Sequence, residues 1–84
     1  MKEKFEDYTE QEFLQFVGDI LGGKADSDLE LNQWLDHFDD ITEHPDQSDV
    51  IFFPAEGEDE SPQGVLQRVK EWRAANGKPG FKQA

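Results

Sequence analysis

The chain contains no cysteine, only two histidines, and no lysine or arginine anywhere from Ala25 to Gly64. Without cysteine there is no disulfide and no thiol nucleophile, which suits a reducing compartment. Two histidines offer little for nucleophilic or acid–base catalysis, so the chain is not read as an enzyme and no catalytic residue is assigned. His37 and His44 lie seven apart and could share a helical face, but no zinc-like ligand spacing accompanies them, so no metal or other cofactor is expected. No apolar run approaches the ~20 residues of a membrane span. The opening Met-Lys-Glu-Lys-Phe-Glu-Asp lacks the apolar segment of a signal peptide. These absences describe a soluble, cytosolic protein with no membrane partner.

What is present is acid. The 84 residues carry a formal net charge of −12. Thirteen of the twenty acidic residues fall in the stretch without a basic one, from Asp26 to Glu60. Such a surface repels phosphate, the main source of nucleic-acid affinity, so no nucleic-acid partner is expected. It complements a basic protein. A surface serving solubility alone would have the same composition; the unbroken length of the acidic span favours a partner.

The hydrophobic fraction is only 35%, but it includes seven Phe and two Trp, spaced for helices. Length and pattern predict one folded domain over residues 1–84. Residues 1–8 form a polar lead-in with Phe5 and Tyr8 as tethers. Thr9 and Glu12 fit a capping box, with Tyr8 and Phe13 in the staple positions. Phe13, Phe16, Val17, Ile20 and Leu21 then recur at helical spacing until Gly22-Gly23 ends the helix. Ser27 and Glu30 fit a second box. Leu31, Trp34, Leu35, Phe38 and Ile41 continue the pattern to about Glu43. A neighbouring face holds Asp28, Asn32, Asp36, Asp39 and Glu43, aligned like charges that repel unless something opposes them. Ser61-Pro62 starts a last helix with Val65, Leu66, Val69 and Trp72 on its apolar face, and Asn76-Gly77 closes it. Arg68, Lys70 and Arg73 sit toward its end, where cations suit the dipole. Phe81 is expected to pin the tail to the bundle. The predicted helices cover 10–21, 28–43 and 62–75.

The stretch His44 to Pro54 organises the rest. Pro45 and Pro54 bracket the densest apolar run, Val50 to Phe53, so a helix near 49–53 has only about one turn. At ~100° per residue, four successive apolar side chains point all round such a turn and cannot share one core. Ile51 is assigned to the core, and Phe52 and Phe53 to at least partial exposure beside Asp46 and Asp49. The fold class is all-α, a small distorted antiparallel four-helix bundle with a one-turn third helix.

Asp7-Tyr8-Thr9-Glu10, Glu12-Phe13-Leu14, Thr42-Glu43-His44-Pro45, Ser48-Asp49, Pro54, Ser61-Pro62, Glu71-Trp72-Arg73-Ala74-Ala75-Asn76-Gly77 and Gly80-Phe81-Lys82 resemble the immunity proteins of DNase colicins and pyocins. The resemblance runs in order over nearly the whole chain. It implies the same four-helix fold. It also implies a monomer that binds the nuclease domain of a cognate bacteriocin one to one, beside the active site, and inhibits it, protecting the producing cell. By that resemblance Ser48, Asp49, Phe52, Phe53 and Pro54 are shared anchors. Asp28, Leu31, Asn32, Leu35, Asp36 and Asp39 of the second helix select the cognate toxin. Two departures stand out. Phe52-Phe53 replaces a Tyr-Tyr pair, so both hydroxyls are missing. Asp39 stands where a Glu is usual, which shortens that contact. The acidity also admits a second reading, a DNA mimic that occupies the groove of a DNA-binding protein.

Overall fold

The computed structural model describes residues 3–47, 49–52 and 61–83. Four helices run in order: α1 (Glu10–Leu21), α2 (Asp28–Thr42), α3 (Asp49–Phe52) and α4 (Pro62–Ala75), preceded by a 3-10 turn over Phe5–Asp7. Helix α1 packs against α2 and α4, and α3 packs against α4.

Local chemistry explains where each helix begins. Thr9 Oγ1 accepts from the Glu12 N–H at 3.1 Å, and Glu12 Oε1 accepts from the Thr9 N–H at 2.9 Å. Two of the orphan N–H groups at the start of α1 are thereby satisfied. At α2 only half of the expected box forms, Ser27 Oγ accepting from Glu30 N–H at 3.1 Å. Ser61 Oγ caps α4 through Gly64 N–H at 3.4 Å, with Pro62 in the first helical position.

Two helices end in the same way. Gly23 and Gly77 both adopt φ 69°, and Lys24 N–H and Lys78 N–H reach back to Asp19 and Arg73 carbonyls at 3.0 and 2.9 Å. These are Schellman ends, which need a left-handed residue that glycine supplies without strain. Helix α2 differs. It ends at Thr42 rather than Glu43, and Glu43 itself takes the left-handed position at φ 58°. The backbone there turns the Glu43 side chain away from the acidic face on which the spacing had put it. Its Oε2 lies 3.3 Å from Arg73 Nη1 and 3.1 Å from Lys78 Nζ. These ion pairs offset a backbone conformation unusual for a glutamate.

The core mixes aromatic and aliphatic side chains. Phe5, Tyr8, Phe13, Val17, Ile20, Phe38, Ile41, Val50, Ile51, Val65, Leu66 and Val69 are buried together. Phe13 centres it, with ring centroids 5.5 Å from Phe5, 5.9 Å from Phe38 and 5.4 Å from Phe81. The lead-in and the tail are therefore part of the core. Lys82 N–H donates to the Tyr8 carbonyl at 2.8 Å, which fixes the two ends together. Replacing a phenylalanine in such a setting by alanine costs ~3–5 kcal/mol, a large fraction of a small domain's stability.

Candidate partner-binding surface

Helix α3 has four residues, Asp49-Val50-Ile51-Phe52, and splits as its geometry requires. Val50 and Ile51 are buried, whereas Phe52 is 42% exposed and Asp49 is exposed. The core assignment of Ile51 and the outward assignment of Phe52 both hold. Ser48, Phe53 and Pro54, also assigned to the anchor set, lie outside the described residues, as does the acidic stretch 55–60. So short a helix has little stability of its own, and α4 holds it: Arg68 Nη2 donates to the Val50 carbonyl at 2.9 Å.

Upstream of α3 the connection is fastened by His44. Its Nδ1 accepts the Asp46 N–H at 3.0 Å, and its ring lies 5.0 Å from that of Trp72. Burial pushes the His44 pKa below its ordinary value, opposed by the charge of Asp46. The other histidine is engaged elsewhere: His37 Nε2 lies 2.9 Å from Tyr8 Oη, and its ring is edge-on to Phe16. Among the described residues no three His, Asp or Glu side chains gather as metal ligands.

On α2, Asp28, Asn32 and Asp36 are exposed, while Leu31, Leu35 and Asp39 are half-buried. The two leucines pack against the core and offer only their outer edges. The sequence pattern missed Leu29, which is 69% exposed in the first turn of α2. Leu21 and Phe52 are the other exposed large hydrophobic residues among those described.

The distribution of cations matters as much as that of the acids. Arg73, expected as a dipole partner at the end of its own helix, is instead only 2% exposed and serves α2. Its Nη1 donates to the Ile41 and Thr42 carbonyls at 3.2 and 3.1 Å, and its Nε donates to Pro79 carbonyl at 3.0 Å. The guanidinium lies 4.1 Å from the centre of the Phe5 ring, and Glu6 Oε2 is 3.9 Å from Nη2. The planar, multi-donor head suits this site, because the last α2 carbonyls form the negative end of a helix dipole. Lys78 pairs with Glu43 and Lys70 with Glu10. The Lys78 ammonium holds the Glu43 carboxyl below its usual range, opposed by desolvation and helped further by Arg73. Three basic groups, Arg68, Arg73 and Lys78, thus serve the joints between elements. The exposed carboxylates of α2 and the start of α3 have no basic residue in their own segment to mask them. Such a surface attracts a cationic partner and gives it an aromatic group to cover.

Comparison with known proteins agrees with this geometry. The family model for colicin immunity protein / pyocin immunity protein matches residues 5–75. The pyocin-S1 and pyocin-S2 immunity proteins of Pseudomonas aeruginosa are each 46% identical over 85 aligned positions, spanning 98% of both chains. Among solved structures, a chain of the pyocin AP41 DNase–immunity complex superposes with a TM-score of 0.86 at 42% identity, over 99% of this chain and 100% of that one. A chain of the pyocin S8 mutant nuclease domain with its cognate immunity protein gives a TM-score of 0.86 at 42% identity, over 98% and 100%. The four-helix fold with a one-turn third helix, the capped helix starts and full-length identity at this level lead to one conclusion: the chain belongs to the colicin and pyocin immunity protein family.

Proposed function

We propose that the chain binds the DNase domain of a cognate pyocin or colicin one to one, beside its active site, and so inhibits it. The cell that makes the toxin is thereby protected. The chain acts as one domain over residues 1–84, is monomeric when free, and works in the cytoplasm, where the toxin is made. It catalyses no reaction. No described helix is long and apolar enough to cross a membrane.

The observation that carries this reading is the outward Phe52 on α3, held in an uninterrupted acidic span. Asp49 and Phe52, with Ser48, Phe53 and Pro54, form the shared anchor. Asp28, Leu31, Asn32, Leu35, Asp36 and Asp39 form the selective face. Buried aromatic groups supply most of the affinity of such interfaces, and charge supplies fast association and discrimination. Complexes between DNase colicins and their immunity proteins are among the tightest known.

The test is to mix the purified chain with the DNase domains of several pyocins and colicins. A stable 1:1 complex with one of them, and loss of its DNA cleavage, is expected. No complex with any of them would sink the proposal. Retention of a small nucleotide or metal at the nuclease active site within the complex separates binding beside that site from mimicry of DNA.

A further inference from the structure

Leu29 is the most exposed large hydrophobic residue among those described, at 69%, and it lies where the first turn of a helix favours acid. Its neighbours Asp28 and Glu30 follow that preference. At ~100° per residue, Leu29 points about 180° from Phe38, a fully buried residue of the same helix. Asp36 and Asp40 lie within about 20° of it around the axis, and Asn32 within about 60°. It is therefore an aliphatic side chain at the N-terminal end of an outward row that continues through Asn32 and Gln33 to Asp36 and Asp40, and no described packing contact accounts for it. Asn32 and Asp36 belong to the selective face, so the row is continuous with that surface.

We infer that Leu29 is a further specificity-determining contact, covered in the complex by the alkyl stem of a lysine or arginine of the nuclease domain whose head group meets the neighbouring carboxylates. Long basic side chains lay their stems on apolar surface and keep the charge at the rim. An apolar spot flanked by Asp28 and Glu30, with Asp36 farther along the same face, fits that shape, whereas acid alone would bind the charge and leave the stem in water. The inference rests on the proposed function and deepens it, by assigning the outer edge of α2 to the same partner.

The experiment compares the wild-type chain with Leu29→Met and Leu29→Gln against the nuclease domain that binds the wild type. All three should melt at about the same temperature, because the side chain is outside the core. Leu29→Gln should weaken binding about tenfold through faster dissociation, with little dependence on salt, and Leu29→Met should bind within about twofold of the wild type. Wild-type affinity for Leu29→Gln, or equal losses for both variants, would overturn the inference while leaving the proposed function in place. Failure of the wild type to bind any nuclease domain would overturn both.

Discussion

Arg68 of α4 reaches across to the carbonyl of Val50 in α3, its Nη2 donating at 2.9 Å. The acceptor lies in a one-turn helix that could not persist alone. The bond thus links a long, well-capped helix to the element carrying Asp49 and Phe52. Arg68→Met keeps most of the aliphatic packing and removes the donor. It should cost about 1.5–3 kcal/mol of stability, the net worth of a hydrogen bond from a charged donor, and should weaken nuclease-domain binding by more than that. Chemical denaturation and calorimetric titration on the same preparation check the comparison.

Arg73 should behave differently. It supplies donors to Ile41, Thr42 and Pro79 carbonyls and stacks on Phe5, none of them a residue assigned to the partner. Arg73→Met leaves the Ile41 and Thr42 carbonyls buried without those donors and should destabilise the fold by ~3–5 kcal/mol. Arg73→Lys keeps the charge but lacks the planar fork, and should cost roughly 2 kcal/mol. Nuclease-domain affinity, measured where each variant is folded, should change little. Urea unfolding curves read the first two numbers.

His44 makes stability pH-dependent. Burial lowers its pKa in the folded state below the ordinary 6.5. As pH falls through that value, the unfolded chain takes up the proton first, so stability is full above about pH 6.5 and is lost below it. Protonation also removes the lone pair on Nδ1 that accepts the Asp46 N–H, and so frees the turn leading to α3. His44→Asn offers an oxygen acceptor that does not titrate near neutrality. Its stability should fall less steeply than the wild type's between pH 7.5 and 5.5, as thermal melts across that range would show.

Most of the helical framework was legible because each boundary rests on chemistry that acts locally. Thr9 with Glu12, Ser27, and Ser61-Pro62 mark starts; Gly23 and Gly77 mark ends. The outward turn of Phe52 was legible too, since four apolar residues between two prolines cannot all face inward. Three features were not. A basic residue near a helix end looks the same in sequence whether it faces water, as expected of Arg73, or plunges under the neighbouring helix. Glu43 hid the end of α2, because the left-handed position is usually announced by glycine or asparagine, and here ion pairs to Arg73 and Lys78 take their place. Leu29 escaped because apolar periodicity assigns leucines to cores, and only a structure shows one on the opposite side. The selective face was read mainly through family resemblance; local chemistry alone leaves an acidic helix face equally suited to solvation.

The central claim is that Phe52 faces a partner while its neighbour Ile51, 2% exposed, holds the fold. The most direct test is a paired measurement of stability and nuclease-domain affinity for Phe52→Ala and Ile51→Ala. Phe52→Ala should lower affinity by at least 2 kcal/mol, roughly thirtyfold, and barely change the melting temperature, whereas Ile51→Ala should destabilise by ~2–5 kcal/mol. Wild-type affinity for Phe52→Ala together with a large loss of stability would contradict the account.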